Sequence, residues 1–419
     1  MTAVIIAVGS ELLTPFRVDT NSLAITDRLN AAGIAVRYKA IAGDSIADLE
    51  HVFKLAIDSA ELVVCTGGLG PTGDDLTREA VSQLLQRPLA ADAAIVERIR
   101  ERFAKRGLTM PAINERQAMV PRGAVVLENE FGTAPGLWLE HDRGQLLLLP
   151  GPPREMTPML ERVIRERLAP QSRGMVVYRR ALKITGRTES DVDSKAQPVY
   201  VKWIDRPIPI STTILAVLGQ IELHLTATSS DRDRAERELD QAVEELRAVL
   251  GSAVYSIDGR SLEAVVGDLL RSAKWTIAAA ESCTGGLLTS RLTDVPGSSD
   301  YVAASMVCYT NQSKTEWLGV PEALLAEHGA VSEPVASAMA SGIRLRMRTN
   351  VGVGITGIAG PGGGSAEKPV GTVVVAVTTD DGAQVRTFRF FGAREQIKYQ
   401  SAQAAMNMLR LMMTERVSK

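Results

Sequence analysis

Histidine, cysteine and aromatic residues are all scarce in this 419-residue chain: four His, three Cys, and 4% Phe, Trp and Tyr together. Cys65, Cys283 and Cys308 form no C-x-x-C pair and cannot all be disulfide-bonded, which excludes a disulfide framework and fits a reduced, cytoplasmic setting. Neither sign of charge dominates. The 47 Lys and Arg against 49 Asp and Glu leave a net charge of −2, which argues against a general nucleic-acid binder. Long apolar runs are also missing: no segment approaches the ~18 residues of a membrane span. The opening "MTAVIIAVGSELL" has no basic region, and Gly9, Ser10 and Glu11 break its apolar stretch, so it reads as a first strand and not a signal peptide.

What is present falls into three blocks. Residues 1–170 alternate short β-rich runs with helical stretches: strands at 3–9, 34–43 and 61–68, helices at 20–33 and 46–60. Thr20 or Asn21 is the expected cap of the first helix. This rhythm predicts a mainly parallel sheet with helices on both faces, whose ligands bind beyond the carboxyl ends of the strands. Residues 171–257 read as β-α-β-β-α-β, a small ferredoxin-like α+β unit with no cluster that looks catalytic, expected to link or to support a dimer. Residues 258–419 form a second block of strands and helices. The fold class is therefore α/β, with two three-layer α/β domains flanking the small one.

"TGGLGPTGDDLTREA" (66–80) follows a strand and leads into a helix. Gly67, Gly68 and Gly70 allow close backbone approach to a ligand, and Thr72 with the amides ahead of the helix suits a phosphate. Asp74 and Asp75 would repel that phosphate unless a divalent cation lay between them, which points to a metal-assisted phosphate or pyrophosphate site. An ordinary turn with a capping Asp is the plain alternative.

"AAAESCTGGLL" (278–288) sets Ser282, Cys283 and Thr284 between an apolar run and Gly285-Gly286. As a structural turn, Thr284 would cap the following helix and the glycines would allow close packing. As a site, it needs a base to take a hydroxyl proton, and the only histidine of this block, His328, has the look of a helix end. Lysine is the next option, and "CYTNQSKTEWLG" (308–319) offers Tyr309, Asn311 and Lys314 just past a buried strand. Lowering a lysine pKa from ~10.4 to ~7–8 takes roughly 3–5 kcal/mol, which burial without a carboxylate partner can supply. Glu316 would undo it by pairing with Lys314. "GITGIAGPGGGSAEKPVGT" (354–372) adds Thr356, Gly357 and a glycine-rich loop for an oxyanion or phosphate, and Arg394 at a helix start is a candidate phosphate contact.

These stretches, in order, resemble the CinA (competence/damage-inducible) family over nearly the whole chain. "AVGSELL", "DTN", "TGGLGPTGDDLTREA", "NERQA" and "LLPGPPREM" are similar to its amino-terminal domain, related to molybdopterin-binding proteins of the MogA/MoaB type. "AESCTGG", Y-x-N-x-x-K, "HGAVSEPVA", "TGIAGPGGG" and "EKPVGTVVVA" look like its carboxy-terminal domain, similar to the nicotinamide-nucleotide amidohydrolase PncC.

The resemblance implies a pyridine-nucleotide salvage enzyme with two sites. In the last block, Ser282 would be the nucleophile, Lys314 the base and Tyr309 a relay or orienting hydroxyl, converting NMN and water to nicotinic acid mononucleotide and ammonia without a cofactor. In the first, Glu11, Asp74 and Asp75 would face a divalent metal, Co2+ or Mg2+, with K+ as a further candidate. Gly67, Gly68, Gly70 and Thr72 would cradle the phosphates of ADP-ribose, and Asn114 and Arg116 would contact it. An exposed helix around 111–119 is the plain alternative for those two. The expected partners are these small nucleotides and a second copy of the chain, with no nucleic acid and no membrane. Departures from the family pattern are Ser10 in the G-T-E-L-L opening, Ala393 in place of the Asp of G-D-R, Lys398 in place of an arginine, and "ITGRTES" in the small domain.

Overall fold

The apolar run behind Thr2 folds as strand β1 (Thr2–Val8), buried from Ala3 onward. The computed structural model describes residues 1–171 and 174–417. They form two units, residues 1–178 with 227–237, and residues 179–226 with 238–419.

In the first unit β1 is followed by α1 (Asn21–Ala31), β2 (Ala35–Ala42), α2 (Ile46–Ser59), β3 (Leu62–Thr66), α3 (Thr77–Leu84), β4 (Leu89–Ala91) and α4 (Ala93–Ala104). Then come β5 (Met119–Pro121), β6 (Val125–Leu127), β7 (Gly136–His141), β8 (Gly144–Leu149) and α5 (Pro153–Val163). Six strands lie in the order β2-β1-β3-β8-β7-β6. The first four run parallel; β7 and β6 turn antiparallel. Alternate residues of β1 point to opposite faces. Val4 and Ile6 join Leu49 and Phe53 of α2, while Ala3 and Ile5 join Ile25 of α1 and Leu160 of α5. Each fully buried Leu or Ile is worth about 2–3 kcal/mol, so this doubly covered sheet is a rigid base for the loops at its edge. Strand β8 carries the buried run at 146–149 that the sequence shows as a strand, while the antiparallel β6 and β7 and the short pair β4–β5 are additions to the parallel pattern. The α1 cap also differs: Asp19, not Thr20 or Asn21, accepts from the Ser22 amide at 2.9 Å.

The segment 176–256 has the expected element order: β9 (Val176–Thr185), α6 (Glu189–Tyr200), β10 (Ile210–Val217), β11 (Gln220–Ser229), α7 (Arg232–Leu250) and β12 (Val254–Ser256). Its sheet runs β10-β11-β9-β12, the ferredoxin-like arrangement.

The last block of the second unit contains α8 (Leu262–Ala273), β13 (Ile277–Glu281), α9 (Leu287–Thr293), β14 (Val302–Val307), α10 (Asn311–Leu318), α11 (Glu322–His328) and α12 (Glu333–Met347). It ends with β15 (Val351–Gly357), β16 (Thr372–Thr379), β17 (Gly382–Arg389) and α13 (Arg394–Val417). The sheet order is β14-β13-β15-β16-β17, with β13 parallel to both its neighbours. Helices α8, α9 and α13 pack on one face and α10, α11 and α12 on the other. Glycine brings the second layer unusually close. A Cβ on Gly352 or Gly354 of β15 would collide with carbonyl oxygens of α12, and one on Gly342 of α12 would collide with the carbonyl oxygen of Leu318 in α10.

Candidate active site

Central strand β13 ends at Glu281, and the chain turns at Ser282 before entering α9. The Ser282 amide donates to the Ile355 carbonyl at 2.9 Å and the Cys308 amide to the Glu281 carbonyl at 2.8 Å, so both flanking strands fix the turn. Glu281 is fully buried. Its carboxylate accepts from the amides of Leu288 (3.1 Å) and Thr289 (3.0 Å) and from the Thr289 hydroxyl (2.8 Å), which satisfies the first turn of α9. Thr284, expected as the cap, makes no such bond; its buried hydroxyl has no partner among the described residues. Gly285 and Gly286 both adopt positive φ, which the reversal into α9 requires.

Ser282 is 8% exposed, and Cys283 turns the other way into the apolar core, where burial pushes its thiol pKa up to about 12. A thiol held protonated in this way is a poor nucleophile. The side chain facing Ser282 is Lys314, from α10. Thr310 caps that helix by accepting from the Ser313 amide at 3.1 Å, and the register brings Lys314 inward until it is 1% exposed. Its Nζ lies 3.4 Å from Ser282 Oγ and 3.4 Å from the carbonyl oxygens of Tyr309 and Thr310. No carboxylate pairs with it among the described residues, and burial holds its pKa below the usual lysine value.

The other expected residues are placed less simply. Tyr309 is 59% exposed, and its carbonyl, not its hydroxyl, meets Lys314. The hydroxyl accepts from Arg394 at 2.8 Å, and the same guanidinium donates to the Gly360 carbonyl at 2.6 Å. Arg394 therefore straps the Tyr309 turn to the glycine-rich loop. Asn311 opens α10 with its side chain exposed. Thr356 is buried and donates to the Ala330 carbonyl at 2.8 Å, so its hydroxyl is already committed to holding a loop; Gly357 is paired with Val373 in the sheet. Lys398 was seen in the sequence only as a departure. It lies one turn beyond Arg394, with its Nζ 3.7 Å from where a Cβ on Gly285 would stand, and makes no ion pair among the described residues.

In the first unit, the neighbouring parallel strands β1, β3 and β8 end at one edge, and the loops after them line an open cavity of about 360 Å3. Glu11, Gly67, Gly68, Gly70, Thr72, Asp74 and Asp75 are all on its wall. Asp75 is committed within the loop, accepting from the Thr72 amide at 2.9 Å and from the Thr72 hydroxyl. The nearby Thr72 side chain, its own backbone amide and the Arg116 charge hold the Asp74 carboxyl below the usual range. Two further carboxylates, Asp44 and Glu155, complete an acidic rim that sequence spacing alone does not reveal. Among the described residues no three His, Cys, Asp or Glu side chains converge to hold a metal ion as they stand, and Asp75 is engaged by Thr72.

Asn114 and Arg116 are placed away from the cavity wall. They lie on a short 3-10 helix, Ala112–Ala118, and neither lines the cavity; Gln117 does. Asn114 is buried against Gln117 (3.1 Å), and Arg116 braces the loop through the Thr72 carbonyl (2.6 Å) and Glu79 (2.9 Å). Arg78 does the same from within. It is fully buried and donates to the carbonyls of Leu69 (2.6 Å) and Gly70 (2.9 Å).

Matches to known proteins span nearly the whole chain. Residues 259–413 match the CinA C-terminal domain, 4–170 the family described as "Probable molybdopterin binding domain", and 179–256 the damage-inducible protein CinA KH domain. A CinA-like protein of Koribacter versatilis is 45% identical over 414 residues, 98% of this chain and 99% of its own length. The chain belongs to the CinA family. A second CinA-like protein, from Solibacter usitatus, is 42% identical over 414 residues, 99% of each chain. Among solved structures, the competence/damage inducible protein CihA from Agrobacterium tumefaciens is 39% identical over 36% of this chain and 93% of its own, with a TM-score of 0.36. No described helix is long and apolar enough to cross a membrane.

Proposed function

We propose that the third block is a serine amidohydrolase acting on the carboxamide of nicotinamide mononucleotide. The observation that carries this reading is a buried lysine, free of any carboxylate among the described residues, 3.4 Å from an otherwise unassisted serine hydroxyl. A neutral Lys314 takes the proton as Ser282 Oγ attacks the carboxamide carbon, then returns it to the departing nitrogen, which leaves as ammonia. Water activated by the same amine cleaves the acyl-enzyme, releasing nicotinic acid mononucleotide and Ser282. Lys398 supplies positive charge for the substrate phosphate, and the Arg394 strap fixes Tyr309 at the mouth of the site. Ammonia release from nicotinamide mononucleotide by the purified chain tests the assignment, and its absence in the intact protein would sink it.

For the first domain we propose nucleotide binding beyond the strand ends, with phosphate held by the Gly67–Thr72 backbone. The commitment of Asp75 to Thr72 favours a binding module over a metal-dependent pyrophosphatase. Hydrolysis of ADP-ribose that appears only on adding Co2+ or Mg2+ would reverse that order.

A further inference from the structure

A large concavity of the second unit lies away from Ser282. It is a cavity of about 1030 Å3 lined by β17 and α13 of the last block and by turns of the small domain around Gly186 and Gly219. Those turns come close because they are glycine: a Cβ on Gly219 would stand 3.2 Å from the Gln403 side chain, and one on Gly186 would stand 3.2 Å from Asn407.

Three features of its wall select a ligand. Arg386 and Arg389 of the edge strand both line it, and neither guanidinium has an ion pair or hydrogen bond among the described residues. Arg187 adds a third positive charge, itself paired to Asp191, against a single lining carboxylate, Glu415. Phe388 and Phe390 stack with centroids 5.4 Å apart and 9° between their planes, an apolar wall suited to a flat ring. The side-chain amide of Gln384 and the Nδ2 of Asn407 stand nearby for a base edge, while Gln400 Nε2 donates to the carbonyls of Phe391 and Gln396 and Asn407 Oδ1 accepts from Arg410. Anion-binding arginines, aromatic faces and amides in a cavity of this size match a phosphorylated nucleoside.

Hydrogen bonds also link the cavity wall to α9, the helix that follows the Ser282 turn. Gln403, on its wall, donates to Thr185 of β9 (3.5 Å) and accepts from Arg291 of α9 (2.6 Å). Arg291 is buried, pairs with Glu263 at 2.5 Å and lies 4.2 Å over the Tyr399 ring. It sits on the helix whose first turn is held by Glu281, the residue before Ser282. We propose that this cavity is a second ligand site, for a nucleoside phosphate, and that Gln403 passes its occupancy through Arg291 to the Ser282 turn.

The site itself is independent of the amidohydrolase reading; the coupling rests on it. Calorimetric titration of ADP into the full chain carrying Ser282→Ala is expected to show a class of sites that weakens at least tenfold in Arg386→Ser/Arg389→Ser and less in the double Lys variant. An ADP isotherm unchanged by the double Ser variant overturns the site. Inorganic pyrophosphate binding as tightly as ADP, with adenosine failing to compete, overturns the nucleoside part. In the chain with Ser282 intact, saturating ADP is expected to shift kcat for nicotinamide mononucleotide more than KM, and Gln403→Leu to bring the ratio of rates with and without ADP to one. A ratio unchanged by Gln403→Leu overturns the coupling. An arginine-dependent ADP class in a chain that releases no ammonia upholds the site and removes the amidohydrolase reading instead.

Discussion

Glu316 accepts a hydrogen bond from Gln312 at 2.7 Å, on the exposed side of α10, and so leaves Lys314, two residues earlier, without a carboxylate. The charge state of the amine is then set by burial, and three measurable consequences concern that amine or the turn it faces.

Turnover should depend on Ser282 and Lys314 and not on the cysteine between the serine and the glycines. Ser282→Ala and Lys314→Met are each expected to lose ammonia release by on the order of 10³-fold or more. Cys283→Ala should keep it, while losing about 1 kcal/mol or more of stability from the apolar core it fills. Loss of activity in the cysteine variant alone would name the wrong nucleophile.

The rate and the stability should respond to pH with the same sign. Catalysis needs the neutral amine, so kcat/KM rises with pH through the lowered Lys314 pKa and levels above it. The unfolded chain, whose lysine has its ordinary higher value, binds more protons between the two values. Stability therefore also rises with pH across that window, and below the folded value, where both states carry the proton, it is level at its lowest. Lys314→Met, with no charge to bury, should raise Tm at neutral pH and flatten the slope; thermal melts at several pH values check this.

Glu281 is expected to matter for both fold and turnover, although it touches no substrate in the scheme above. Glu281→Gln leaves an amide NH2 facing N–H donors and should cost about 2–3 kcal/mol of stability in denaturant titration. Its kcat should fall more than its KM rises, because the turn carrying Ser282 loses its anchor.

In the first domain, Asp75→Asn should loosen the glycine loop by weakening its bonds to the Thr72 amide and hydroxyl. The expected outcome is weaker AMP binding by at least several-fold with no metal present. A variant that binds AMP normally but loses a Mg2+-dependent hydrolysis would restore Asp75 as a metal ligand.

The legibility of these features in the sequence followed their range. Strand ends, glycine turns and the shortage of histidine are local or compositional, and they narrowed the search to the 282–284 turn and the Tyr309–Lys314 segment, within which the family resemblance implied Ser282 and Lys314. Roles set by what else is nearby were not readable. Thr284 has the composition of a cap, but Glu281, three residues earlier on a buried strand, does the capping. Asn114 and Arg116 look like substrate contacts because they are polar and close to a loop, yet their partners are Gln117, Thr72 and Glu79. Thr356 ends its strand as expected, but Ala330 already holds its hydroxyl. Strand β7 was missed beside the buried run at 146–149, because the short apolar "GLWL" is followed at once by the polar "EHDRGQ".

The missing side chain at Gly342 bears on reactivity from a distance. Helix α12 presses there on the last turn of α10, four residues past Lys314, and a methyl group would have no room against the Leu318 carbonyl. Relief can only come from one helix retreating from the other, and α12 is already seated on β15 at Gly352 and Gly354. The retreat would fall on α10 and lengthen the Nζ to Oγ gap. The reach of the proposed base is thus gauged by an atom the protein leaves out.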